Sequence, residues 1–319
     1  MAYLEYLVNN TINDFWFSIF EEFTPQQIHL LIEGTLFMIT HYYADVNNVR
    51  LHCTSEGAGS LMLFLHGFPE FWYQWRNLLP EFSRDHLAVA PDMRGYNLSD
   101  KPTELEQYQM HHLIEDVRAL VEHLGYQRFT LVAHDWGGFV AWNFAMTYPN
   151  WLDKLIIINS PHPAIFRREL KNNPAQQQAS AYMQMFRDSR AETILSARNY
   201  ARLTQMLFGD NLFGSEAEKQ EYIIAWSQPG ALTGGLNYYR AMTGKNSINP
   251  PDPASTMVNV PTLVIWGEKD TALLTSNLDG LTQYVPDLTI KRIPEGTHWV
   301  IHEQPQTVIA FIQEFLTKS

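Results

Sequence analysis

Apolar residues recur along this chain in two rhythms, and the switches between them mark its elements. Short apolar runs at 42–44, 49–54, 61–65, 87–90, 129–133, 155–159, 261–266 and 288–293 predict eight β-strands. Stretches at 110–124, 138–148 and 303–316 carry apolar residues at helical spacing. Strand alternating with helix predicts an α/β fold, a doubly wound, mostly parallel sheet with helices on both faces. From Pro161 to about Pro253 the strand rhythm stops, and only helical periodicity broken by Pro, Asn and Gly remains. That predicts a helical cap, 161–253, inserted after the sixth strand between core segments 41–160 and 254–319, with the prolines of 246–253 in its return linker.

The first forty residues carry a separate stripe. Leu4, Leu7, Val8, Ile12, Phe15, Trp16, Ile19, Phe20 and Phe23 recur at helical spacing, with Glu5, Asp14, Glu21 and Glu22 off the stripe. No Lys or Arg precedes Arg50, so the cationic part of a secretory signal and the Arg bias of a transit peptide are both missing. A membrane-surface helix would carry cations on its polar face, and this face is acidic. Segment 28–43 is interrupted by His29, Glu33 and Gly34 and falls short of a spanning helix. Residues 1–40 therefore read as an N-terminal helical extension packed on the body or on a second copy, a route to a homo-oligomer, with membrane attachment disfavoured.

The most telling change of rhythm lies where the run 129–133 meets His134-Asp135-Trp136-Gly137-Gly138. A carboxylate flanked by small residues stands at a strand-to-helix turn, where a serine hydrolase would carry its nucleophile. Ala133 and Gly137 leave room for the sharp bend. A carboxylate nucleophile suits substrates that alkylate it at saturated carbon, giving an ester that water then cleaves. The same aspartate could equally be an N-cap. Context separates the two readings. The run 61–65 leads into His66-Gly67-Phe68-Pro69-Glu70, the run 261–266 into Gly267-Glu268-Lys269-Asp270, and the run 288–293 into Gly296-Thr297-His298-Trp299. Nucleophile, acid and histidine thus follow in the chain order of α/β-hydrolases.

HGFPE, DMRGY, HDWGG, PHP, WGEKD and GTHW stand here in the order seen in epoxide hydrolases of the α/β-hydrolase superfamily, of the soluble epoxide hydrolase type, and the chain resembles that family from about Tyr42 to its end. The resemblance implies the α/β-hydrolase fold and a catalytic triad of Asp135, Asp270 and His298. Asp135 would open an epoxide and become an ester, and His298, oriented by Asp270, would activate the water that cleaves it to a vicinal diol. It assigns the oxyanion donors to the amides of Phe68 and Trp136, with a cis peptide before Pro69. The ring oxygen needs an acid, and the family supplies two cap tyrosines, here Tyr182 and Tyr239. Tyr238 and Tyr239 point about 100° apart on a helix, so only one can face Asp135. Trp136, Phe68, Trp72, Met183 and Trp299 are expected as substrate-binding walls. Each tyrosine, taken alone, would also serve as ordinary packing.

The alternative is a haloalkane dehalogenase using the same Asp135, but that family commonly holds its halide with an indole plus an Asn where Phe68 stands, or a second Trp. A fluoroacetate dehalogenase would carry Arg in place of Trp136 and near Phe139. A non-enzymatic interaction module is disfavoured because every catalytic position is filled.

Composition narrows the rest. The 319 residues, 45% hydrophobic and 13% aromatic, suffice for one core with an insertion and an apolar pocket for a small apolar epoxide. The net charge of −12 disfavours nucleic acid. The single cysteine, Cys53, precludes an intrachain disulfide, reads as a buried inert thiol and fits a cytoplasmic protein. No cluster has metal-ligand spacing and no Walker or dinucleotide loop is present, so no metal or cofactor is implied. Asp92 and Arg94 read as structural turn or ion-pair residues, Asn97 as a left-handed turn residue, and His66, His134 and His162 as groups that orient backbone.

Overall fold

The computed structural model describes residues 39–209, 214–242 and 256–317, all within one unit, Ile39–Ser319. The extension expected for 1–40, except its last two residues, and the return linker lie outside the described residues. Eight strands form one sheet: β1 (Thr40–Val46), β2 (Val49–Glu56), β3 (Ser60–Leu65), β4 (His86–Pro91), β5 (Phe129–His134), β6 (Leu152–Ile158), β7 (Thr262–Gly267) and β8 (Leu288–Ile293). Their spatial order is β1-β2-β4-β3-β5-β6-β7-β8. The pairs β1–β2 and β2–β4 are antiparallel and the others parallel.

Each of the eight expected strands is present, and the burial explains why they were readable. Strands β5 and β7 are buried along their whole length, as parallel strands covered on both faces must be. In β3, Leu61, Leu63 and Leu65 join one core cluster while Met62 and Phe64 join the other. The second cluster is closed by Val308, Ile309, Ile312 and Phe315.

Helices fill the connections: α1 (Leu79–Phe82), α2 (Met110–His123), α3 (Asp135–Thr147), α4 (Pro163–Asn172), α5 (Pro174–Ala179), α6 (Tyr182–Arg187), α7 (Ala191–Leu207), α8 (Glu216–Ser227), α9 (Ala231–Ala241), α10 (Val300–Glu303) and α11 (Pro305–Leu316). Helices α4 to α9 all lie between β6 and β7. Their starts carry clear signals. His162 Nδ1 accepts from the Ala164 amide with Pro163 at the first turn, Asn173 caps α5 ahead of Pro174, and Ser215 with Glu218 closes a capping box on α8. His162 Nε2 also reaches the Thr256 carbonyl at 3.1 Å, so one ring ties the outgoing chain to the returning one. Burial pushes this imidazole down to about 4, which keeps it neutral. No helix among the described residues is long and apolar enough to cross a membrane.

The strand order creates the site. From β3 the chain crosses to β4 on one side, and from β4 it returns to β5 on the other, so the loops leaving β3 and β5 diverge at a topological switch point. Register aligns the ends: Leu65 pairs with Ala133, His134 with Ile158, Ile158 with Ile265, and Gly267 with Ile293. The segments beyond those pairs carry Phe68, Asp135, Asn159, Asp270 and His298, and all open on one edge of the sheet.

Candidate active site

Asp135 is the first residue of α3, three residues earlier than the periodicity suggested, and its φ of +50° lies in the left-handed region. A side chain there costs on the order of 1–3 kcal/mol unless its surroundings hold it. They do so on three sides. The Phe68 amide donates to Asp135 Oδ1 at 2.8 Å, and Ser160 Oγ donates to the Asp135 carbonyl at 2.7 Å. Gly137 lets the helix approach β3 so closely that a Cβ there would lie 2.3 Å from the Leu65 carbonyl oxygen. Gly67 does the same for the loop, where a Cβ would lie 2.4 Å from Asp135 Oδ1. The Trp136 amide lies in the first turn of α3, where amides have no partner within the helix. The Phe68–Pro69 peptide is cis.

His298 sits between two carboxylates. Its Nδ1 is 2.7 Å from Asp270 Oδ2, and its Nε2 is 3.5 Å from Asp135 Oδ2. Asp270 is held by more than the histidine: the Ala272 and Leu273 amides donate to Oδ1 at 2.8 Å each, and Asn159 Nδ2 donates to Oδ2 at 2.8 Å. Burial alone would depress the His298 imidazole, but the charges and hydrogen bonds of Asp270 and Asp135 outweigh it and raise its pKa well above 6.5. Burial alone would raise Asp135; the His298 hydrogen bond and charge and the Phe68 amide instead lower it, so it stays ionised.

Opposite this array, Tyr182 on α6 and Tyr239 on α9 line the same space as Asp135, with their ring centroids 6.4 Å apart. Burial first, and negative charge nearby, raise both phenols and keep them protonated. Neighbouring Tyr238 points away, donating to the Arg94 carbonyl at 2.9 Å. The arrangement is a desolvated carboxylate with a histidine–aspartate pair behind it and two proton donors across a cavity, a set able to attack an electrophile and protonate what leaves.

The comparisons with known proteins agree. The model of the alpha/beta hydrolase fold family matches residues 60–305. "Epoxide hydrolase 2" of Caenorhabditis elegans is 35% identical over 288 residues, which cover 87% of this chain and 80% of that protein. "Epoxide hydrolase 4" of Mus musculus is 36% identical over 292 residues, covering 87% and 79%. A crystal structure of a Bacillus megaterium epoxide hydrolase in complex with an inhibitor matches with a TM-score of 0.82 and 39% identity, over 87% of this chain and 100% of that one. The chain belongs to the epoxide hydrolases of the α/β-hydrolase superfamily. It is thus a hydrolase by family.

For this family member the expected walls divide. Trp136 and Met183 line a cavity of 250 Å³, Phe68 and Trp299 line an adjoining one of 280 Å³, and Asp135, Tyr182 and Tyr239 border both. Trp72 is a correction, lining neither. It follows Phe71 into a short turn and packs edge-on against His41 and Phe71, because the turn after Pro69 carries it away from the sheet edge. Asp92 and Arg94 do not pair with each other. Asp92 accepts from Asn97 Nδ2, whose φ is +39°, and sits 2.6 Å from His52, whereas Arg94 is paired with Asp116. Cys53 is buried and its thiol is pushed up to about 12 by burial.

The histidines beside the loops do hold backbone. The Met93 amide donates to His66 Nε2 at 2.9 Å, leaving Nδ1 to donate to the Gly67 carbonyl. His134 Nε2 donates to the His298 carbonyl at 2.9 Å. Several groups were missed by sequence reasoning. Asn159, expected only as the end of a strand, adopts a φ of +38° and uses its carboxamide on both the Gly267 amide and Asp270. Glu70 is a buried carboxylate that accepts from Tyr222 at 2.9 Å and lies 2.5 Å from His302 Nε2 and 3.6 Å from His134 Nδ1. Its position in HGFPE was the available signal. Arg167 and Arg187, on α4 and α6, line the 250 Å³ cavity and had no signal beyond helical spacing.

Proposed function

We propose that this enzyme converts an epoxide to a vicinal diol through an ester on Asp135, with the inserted helices acting as a cap that carries the acids. The observation that carries this reading is the pair of protonated phenols bordering the same cavity as an ionised Asp135. Asp135 Oδ2 attacks a ring carbon, the ring C–O bond breaks, and Tyr182 and Tyr239 share the proton given to the departing oxygen. One phenol becomes a phenolate. Loss of the Asp135 charge removes one cause of the high His298 pKa, so the imidazolium gives its proton to the phenolate and becomes a base.

Neutral His298 then takes a proton from water as the hydroxide adds to the ester carbonyl. The charge that develops on Oδ1 falls where the Phe68 amide, with that of Trp136, is directed. Collapse expels the diol oxygen, which takes the proton from His298, and the new carboxylic acid returns its proton to the imidazole. The balance is epoxide plus water to diol. A haloalkane could alkylate the same carboxylate, but a halide leaves without a proton and would give the two phenols nothing to do.

Heavy-oxygen water tests the ester. With enzyme in excess over an epoxide such as styrene oxide, the first-turnover diol should carry oxygen from Asp135 and no heavy label, while the label enters the Asp135 side chain. Label in the first-turnover diol, with none in the protein, would mean direct attack by water.

A further inference from the structure

We propose that Trp226, on the inserted helix α8, is a positioning residue for cleavage of the Asp135 ester: its indole N–H starts a chain of hydrogen bonds that aims and strengthens the Phe68 amide as an oxyanion donor. The inference rests on the epoxide reading above and concerns its second step.

The chain runs through two peptide units. Trp226 Nε1 donates to the Pro69 carbonyl at 2.6 Å, the Glu70 amide of that same unit donates to the Gly67 carbonyl at 2.9 Å, and the Phe68 amide of the Gly67 unit donates to Asp135 Oδ1 at 2.8 Å. Donors and acceptors thus alternate head to tail from the indole to the carboxylate. Each bond in such a chain polarises the next, by about 10–30% in condensed phase, so a donor on the Pro69 carbonyl makes the Phe68 N–H a stronger donor. The same bond holds the turn that presents this N–H. Trp226, Pro69 and Glu70 are all buried, where an unmatched indole or carbonyl is costly.

The contact belongs to a docking face. Glu218, Tyr222 and Trp226 recur every four residues along α8 and so share one side of it. Each bonds the segment that follows Phe68: Glu218 accepts from Arg76 Nε at 2.8 Å, Tyr222 donates to Glu70 Oε1 at 2.9 Å, and Trp226 takes Pro69. Gln228, Pro229 and Gly230 then join α8 to α9, which carries Tyr239. The inserted helices therefore supply an acid for ring opening and, through α8, support for the donor used in ester cleavage.

The two steps should feel this bond with opposite sign. As Asp135 is alkylated, negative charge leaves the carboxylate, so a donor on Oδ1 is worth less at that transition state than before it. As the ester is hydrolysed, a neutral carbonyl oxygen becomes an oxyanion, and the same donor is worth more. Weakening the Phe68 N–H should slow hydrolysis and leave alkylation unslowed.

Two replacements test this. Trp226→Phe removes the N–H and keeps a ring, and Trp226→benzothienylalanine, with sulfur in place of the N–H, keeps the shape as well. With enzyme in excess over styrene oxide, acid quenching and intact-protein mass follow the ester as it forms and decays. In both variants the decay rate constant should fall by about 5- to 50-fold, short of the roughly 100- to 1000-fold lost with a whole oxyanion donor. The formation rate constant should stay within about 3-fold of the wild-type value or rise. Once hydrolysis limits turnover, kcat and KM should fall together and kcat/KM should be kept. Rate constants do not depend on how much of a variant folds, and the sulfur isostere decides where the two variants differ. An unchanged decay rate in the isostere overturns the assignment. So does an equal slowing of both steps, which a merely structural part would give. If His298→Gln forms no ester with an epoxide that the wild type hydrolyses, the covalent reading itself fails.

Discussion

The two walls of the cavity are built differently. On the sheet side every reacting group is held by several bonds: Asp270 accepts two amides and the Asn159 carboxamide besides His298, and Asp135 is fixed by Phe68, Ser160 and a strained backbone. On the inserted-helix side, Tyr182 and Tyr239 touch mainly aromatic rings. A wall with its polar groups saturated can present only one geometry to a reaction. On the proposed mechanism, the covalent steps fall to the sheet side and proton donation to the two phenols of the helical side.

The sharpest way to break that division is Asp135→Asn, which keeps the shape and removes the proposed nucleophile. Turnover should fall by at least about 10⁴-fold, read from steady-state diol formation. Substantial residual activity would mean that the sheet side merely positions water. Next in size are the phenols. Tyr182→Phe or Tyr239→Phe should slow ester formation by about 10- to 1000-fold, and the double variant should nearly abolish it. Full single-turnover rates in the double variant would leave the helical side with no part in the chemistry.

These two effects also separate what could be read in the sequence from what could not. Strand ends, the positive-φ aspartate and the glycines beside it leave local signatures, since steric demands fix which residues tolerate them. Asp135, Asp270, His298 and Phe68 all fell at such ends. Asn159 did not announce itself, because it follows an apolar run and acts only through a neighbour that register brings beside it. Trp72 was misplaced because a turn of one residue more or less decides which way an indole points. Arg167 and Arg168 are adjacent and chemically identical in the sequence; only tertiary packing gives Arg168 its bonds to Glu169 and to the Asp279 and Ser276 carbonyls.

Smaller effects sharpen the sheet side further. Asn159→Ala should cost about 1–3 kcal/mol of stability, read by denaturant unfolding, because it leaves buried partners unmatched. It should lower kcat with KM little changed if its task is to hold Asp270. A fall in KM-borne affinity alone would assign Asn159 to substrate. The smallest change is a titration. His298 is raised by both carboxylates, so it stabilises the fold fully below 6.5, and that contribution is lost as pH rises through the raised value. Asp135→Asn removes one carboxylate, and the His298 ring signals in NMR should titrate at lower pH, with the alkaline loss of stability setting in earlier. An unmoved titration would mean that Asp270 alone sets the imidazole.

The covalent ester is the account's central claim, and His298→Gln tests it most directly. Without its base the variant should react once with an epoxide and stall, so that intact-protein mass rises by the whole mass of the substrate and peptide mapping places the addition on Asp135. No adduct from epoxides that the wild type hydrolyses would contradict the account. An adduct only from haloalkanes, with hydrogen halide lost, would replace it with dehalogenation.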